Sequence, residues 1–214
     1  MSAPADTTTP TDSAAPAAQR ILDAAIDAID ERGEAALRVQ DIVRVAGVQV
    51  PVLYRHFGNR EGLVQAAQLE RLRRDLSAEM AAIHAAIDTV GTAEEFRALM
   101  DVILVRIASP ERRLPRARRV NVLGSTYGRP ELVTQVAAAQ GAAIEWIADL
   151  LTSPAERGWL REGFEPRTFA TWLAGAAIGR IVAELDPDRV DGEAYDELWL
   201  ETARFALFGS NPPD

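Results

Sequence analysis

Residues 38–63 read RVQDIVRVAGVQVPVLYRHFGNREGL, and this stretch decides the fold. Within 38–46, Val39, Ile42, Val43 and Ala46 recur at the three- and four-residue spacing of a helix with one buried stripe. Gly47 comes next, where a left-handed cap belongs. A second short helix, 50–57, keeps Leu53 and Phe57 one turn apart on its inner side. Gly58 ends it, and Asn59 is placed to cap a third helix. Two short helices joined by a tight glycine turn build a platform whose second helix fits a DNA major groove. Val39, Ile42, Ala46, Val48, Leu53 and Phe57 form the inner set. Gln49, Val50, Val52, Tyr54, Arg55 and His56 are outward and left for a partner.

The helical period continues in both directions. Upstream, a helix is predicted over 19–32, with Ile21, Leu22, Ala25, Ala28 and Ile29 as its stripe and Gly33 at its end. Residues 1–18 hold Pro4, Pro10 and Pro16 among small and polar residues, a composition too poor in apolar surface to offset its ordering entropy, and read as a disordered tail. Downstream, a long helix is predicted over 60–87. Thr92 and Glu95 form a capping box that opens the next, with Phe96, Leu99, Met100, Ile103, Leu104 and Ile107 inside. Further helices fall near 116–127, 130–151, 166–185 and 192–208. No run alternates polar and apolar residues as a strand does. The expectation is an all-α chain: a three-helix helix-turn-helix domain over 19–65 joined to a larger helical domain over 66–210. The boundary lies inside the long helix, without a flexible linker.

The net charge of −9 argues against nucleic acid, yet the local field counts over a Debye length. Across 38–60, Arg38, Arg44, Arg55 and Arg60 stand against Asp41 alone. All basic residues are arginine. With no cysteine, and with His56 and His84 as the only histidines, the usual zinc sites cannot be assembled. The spacing Gly175-Ala176-Ala177-Ile178-Gly179 lies inside a helical pattern, not between strand and helix, and no nucleophile elbow is present. Neither catalysis, a cofactor nor a metal is expected. Mean hydropathy is −0.07, and no apolar run nears the roughly 18–20 residues of a membrane span. The first eighteen residues lack a signal peptide's basic start and apolar core. A cytoplasmic protein with no membrane partner is expected.

The run Val39-Gln40-Asp41-Ile42, Ala46-Gly47-Val48 and Leu53-Tyr54-Arg55-His56-Phe57-Gly58-Asn59-Arg60-Glu61-Gly62-Leu63 resembles the DNA-binding domain of the tetracycline-repressor (TetR) family, as do Ile21-Leu22-Asp23-Ala24-Ala25 and Glu31-Arg32-Gly33. The resemblance covers about residues 20–65. It implies a bacterial repressor that binds a palindromic double-stranded operator as a homodimer and is released by a small-molecule effector, so the C-terminal domain would bind ligand and dimerise. Arg38, Gln49 and Val52 depart from the family's usual Ser or Thr, leaving the recognition helix apolar at its tip. Val50 and Val52 then suit thymine methyls, Gln49 adenine and Arg55 guanine. Tyr54, His56 and Arg60 suit phosphates, and Arg38 a phosphate or the minor groove.

Phe96, Met100, Ile103, Tyr127, Trp146 and Trp172 are candidate ligand-cavity residues or ordinary core, and the lining they suggest fits a largely apolar effector. Arg112, Arg113, Arg116, Arg118 and Arg119 invite a nucleic-acid or anionic-ligand reading, but, set among prolines and without stacking aromatics, they read as a solvated or salt-bridged face; the remaining alternative is that they meet acidic groups of the helix-turn-helix domain and help transmit a ligand signal. Gly175 and Gly179, with apolar residues on several sides of the last two helices, fit packing within one chain or, as the resemblance implies, a dimer seam. The other reading open to the residues is a helical ligand-binding or protein-interaction module without operator binding, favoured by the apolar recognition helix.

Overall fold

A computed structural model describes residues 16–87 and 90–209, which are helical with no strand among them. They fall into two compact units, one ending at Ala67 and one beginning at Gln68.

The first unit holds α1 (Ala17–Arg32), a 3-10 turn (Glu34–Ala36), α2 (Val39–Ala46), α3 (Val50–Phe57) and the first turns of α4 (Arg60–Ile87). The tail expected over 1–18 lies outside the described residues as far as residue 15. Ala17 and Ala18 are already helical, because the Pro16 carbonyl accepts the Arg20 N–H at 3.1 Å and opens the first turn. Ile21, Ala25, Leu37, Ile42, Leu53 and Leu63 form the core. Gly47 adopts φ 64°, ψ 40°, which lets the Val48 N–H reach the Val43 carbonyl at 3.0 Å and closes α2 in a Schellman turn. The bend from α3 into α4 is tighter. Asn59 Oδ1 accepts the Gly62 N–H at 2.8 Å, and a Cβ on Gly62 would overlap the Phe57 carbonyl oxygen. Only glycine fits there.

The second unit continues α4 and adds α5 (Ala93–Ala108), a 3-10 turn (Pro110–Arg112), α6 (Arg113–Ser125), α7 (Pro130–Glu156), α8 (Pro166–Gly179), α9 (Ile181–Glu184) and α10 (Gly192–Phe208). The capping box forms: Thr92 Oγ1 accepts the Glu95 N–H at 3.2 Å, and Glu95 Oε2 accepts the Thr92 N–H at 3.1 Å. One apolar cluster gathers Phe96, Leu104, Leu151, Phe169, Trp199 and Leu207; another gathers Leu72, Leu76, Val122, Leu132 and Val136. The single helix expected over 166–185 is broken at Arg180. There the Ala183 N–H bonds to the Arg180 carbonyl in a tighter 3-10 turn, and the Arg180 side chain is held from α10.

A buried ion network runs through this break. Arg180 donates to both carboxylate oxygens of Asp196 at 2.7 Å and to Glu184 Oε1 at 2.7 Å. The same Glu184 oxygen pairs with Arg116, whose other hydrogen bonds go to the carbonyls of Ile107 (2.9 Å) and Ser109 (3.0 Å). Arg116, Glu184 and Arg180 are each more than nine-tenths buried at the side chain. Breaking a buried pair strands an uncompensated charge, so Glu184→Ala should cost about 3–5 kcal/mol. Removing the exposed Arg189–Asp186 pair by Arg189→Ala should cost under about 1 kcal/mol. Denaturant unfolding of the two variants checks the contrast.

Candidate functional site

In the first unit α3 is placed by its inner side. Leu53 is fully buried and Phe57 packs partly against the same core. Pro51 sits in the first turn, where its missing N–H has no intrahelical partner to lose. Gln49 is the N-cap, with an extended backbone and no capping bond from its side chain. Gln49, Pro51, Tyr54, Arg55 and His56 are exposed, Tyr54 to 44%. This gives a polar and aromatic surface one helix long. Val50 and Val52, expected to meet thymine methyls, are only half exposed and pack against the trihelical core.

The arginines of this unit divide by their partners. Arg44 is tied to Asp41 at 2.8 Å, and that hydrogen bond holds the Asp41 carboxyl below its ordinary range. Arg38 stands exposed at the N-cap position of α2 without a side-chain capping bond, and donates to the Ala35 carbonyl at 2.9 Å. Arg60, expected at a phosphate, is half-buried. Its guanidinium donates to the carbonyls of Leu37 (3.1 Å) and Glu34 (2.7 Å), clasping the 3-10 turn to the start of α4. That geometry makes it a structural clasp in place of an outward contact. Arg55 is exposed and has no hydrogen-bond or ion-pair partner among the described residues.

The second unit contains a cavity of about 280 Å³ between α4, α5, α6, α7 and α8, near the lower end of the roughly 300–1,000 Å³ of small-molecule sites. Three of the six residues expected on its wall are there: Met100, Ile103 and Trp146. Three are not. Phe96 is buried in the core against the rings of Trp159 (5.9 Å) and Phe208 (6.5 Å). Tyr127 is 94% exposed beyond the end of α6. Trp172 lies between Phe169 and Trp199, stacking on the latter at 6.5 Å. Leu76, Ile83, Leu99, Ile147 and Leu173 complete much of the apolar wall. Arg112, Arg116 and Arg119, expected on a solvated or salt-bridged face, also line it, as does Arg106, which sequence reasoning missed. The spacing 112, 116, 119 puts three arginines on one helical face, and that was the available signal. Arg118, from the same run, instead approaches Asp75 at 3.9 Å.

A family model for bacterial regulatory proteins of the tetR family matches residues 21–67. No curated protein matches the chain. Among solved structures, one described as a TetR-family transcriptional regulator from Rhodococcus sp. is similar at 23% identity with a TM-score of 0.67. The match covers 89% of this chain and 98% of that one. A transcriptional regulator from Saccharomonospora viridis in complex with choline matches at 20% identity and TM-score 0.65, over 89% and 97% of the two chains. The regulator FadR from Bacillus subtilis, in complex with stearoyl-CoA, matches at 18% and 0.57, over 90% and 99%. At these identities the likeness establishes the fold.

The division between Arg55 and Arg60 is open to direct measurement. Arg60→Ala should lower stability by about 1.5–3 kcal/mol through loss of its charge-assisted hydrogen bonds. Arg55→Ala should leave thermal unfolding unchanged within about 0.5 kcal/mol, as exposed substitutions do. Equal destabilisation by the two would overturn the distinction.

Proposed function

We propose that the chain, whose residues 21–67 match the tetR family of bacterial regulatory proteins, represses transcription by binding a palindromic operator as a homodimer, which a small, largely apolar molecule releases. The observation that carries this reading is the exposed Tyr54-Arg55-His56 surface of α3 on a domain matched by the family. In a major groove, Arg55 is suited to guanine and Gln49 to adenine, while Tyr54, His56 and Arg38 are suited to phosphates. Such a regulator acts in the cytoplasm. Among the described residues no helix is long and apolar enough to cross a membrane.

Mobility-shift assays with promoter DNA next to the protein's own gene test operator binding. Arg55→Ala should lose about 1–3 kcal/mol on the operator and much less on random DNA. Equal losses on both would remove its base-reading role, and no shift on any promoter fragment would favour a module without operator binding.

Dimerisation is supported by apolar side chains that the single chain leaves uncovered on its last helices. Leu198 and Phe205 of α10 are 64% and 63% exposed, and Val182 and Trp172 are exposed nearby in sequence. Leu198 and Phe205, two turns apart on one helix face, are the kind of uncovered apolar surface that association would bury. Gly175 and Gly179 have open space where a Cβ would stand, so nothing within the chain requires them to be glycine. Light scattering should show a dimer at micromolar concentration. Leu198→Glu and Phe205→Glu should give folded monomers, and a wild-type monomer would defeat the reading.

Release requires an effector that prefers the arrangement unable to hold DNA; differential affinity sets the shift. The cavity in the second unit is the site proposed for it. One helix, α4, both supplies cavity wall at Leu76 and Ile83 and continues from α3 through Gly58-Asn59, so it is the element proposed to carry the change. Regulators of this fold have been seen with choline and with stearoyl-CoA, so the fold alone does not choose the effector's charge.

A further inference from the structure

The cavity wall is mostly aliphatic, yet every charged residue on it is an arginine. Arg106, Arg112, Arg116 and Arg119 line it, and no Asp or Glu does among the described residues. The chain carries 32 acidic residues against 23 basic ones, so this one-sided wall runs against the composition. One carboxylate, Asp75, faces Arg71, Arg112, Arg118 and Arg119 together. Arg116 is paired with Glu184, which also serves Arg180. Asp75 offsets Arg112 and Arg119 from a position off the wall. Burial, and after it the charge of Arg119, holds the Arg112 guanidinium below its ordinary value; burial does the same to Arg119. These groups are therefore partly desolvated, close to one another, and next to an apolar chamber. A cation is repelled there, and a neutral acceptor gains only an ordinary hydrogen bond. An anion relieves the mutual repulsion, and the planar guanidinium matches carboxylate and phosphate oxygens in paired hydrogen bonds.

We propose that the cavity takes an amphipathic anion, a small molecule whose apolar body lies against Ile83, Leu99 and Ile147 and whose carboxylate or phosphate head meets Arg112 and Arg119. The inference rests on reading this cavity as the effector site. It adds a charged head to the apolar molecule that the aliphatic wall alone implies. Arg106, exposed on α5, supplies further positive charge to the same wall.

The test uses the full chain and the fluorescence of its tryptophans, of which Trp146 is on the wall. Decanoate, decyl phosphate, decanol and decylamine share one chain and differ in head. At least one of the two anions should bind about tenfold or more tighter than decanol, the range of one charge-assisted hydrogen bond, and decylamine should bind weakest. The tighter of decanoate and decyl phosphate identifies the head. Arg112→Gln and Arg119→Gln should remove the anion's advantage while decanol affinity stays the same. If either variant fails to fold, the wild-type ranking decides. Decanol binding as tightly as both anions, or an advantage that survives both variants, overturns the anionic head and leaves the effector site standing. Failure of all four compounds to bind overturns the effector site as well.

Discussion

Glu184 is a single carboxylate set between two buried guanidiniums, and the architecture of the second unit depends on it. Two arginines taken out of water within reach of one another repel, and each has lost hydration that only a fixed partner replaces. Glu184 and Asp196 supply the charge, and the carbonyls of Ile107 and Ser109 take further Arg116 protons. Four segments meet in this one arrangement: the end of α5, the first turn of α6, the short α9 and the second turn of α10. The break at Arg180 coincides with it: the residue whose side chain reaches Asp196 sits at the turn between α8 and α9. Arg116 anchors the first turn of α6 in this way, and Arg112 before it and Arg119 one turn after it line the cavity with it.

In the first unit the constraints are short-range and mostly backbone. Gly47 and Gly62 are required by a left-handed turn and by a close approach to a carbonyl, and both lie within a few residues of their contacts. For this reason the helix-turn-helix was legible. Its turns are written in glycines at fixed spacing, and its inner residues recur at the helical period. The exposed Tyr54, Arg55 and His56 were legible on the same grounds, since a helix with Leu53 and Phe57 inside turns those three outward.

Features that depend on partners far away in sequence were not legible. The carbonyls that hold Arg60 belong to residues 34 and 37, and nothing in the local pattern distinguishes that clasp from an outward arginine. The cavity presents the same difficulty. Met100 and Ile103 share the inner face of α5 with Phe96, yet Phe96 meets Trp159 and Phe208 from the chain's later helices and becomes core. Tyr127 was read as part of a helix face, but α6 ends at Ser125 and leaves it in solvent. The arginine run was visible as a cluster. Its division between a salt bridge at Arg118 and a cavity wall at Arg112, Arg116 and Arg119 required the packing of several helices.

The cavity wall contains two kinds of residue, and the difference bears on how such a molecule diverges. Met100, Ile103, Leu151 and Leu173 belong also to the buried core, where a change of volume disturbs neighbours on the far side. Val102 and Arg106 border the same space while exposed to solvent, so substitution there disturbs the core least. Drift can therefore alter what is sensed at sites where the stability threshold imposes little selection. A lineage descended from this chain would acquire new chemical specificity through those permissive positions first. The ion network and the recognition surface would stay as inherited.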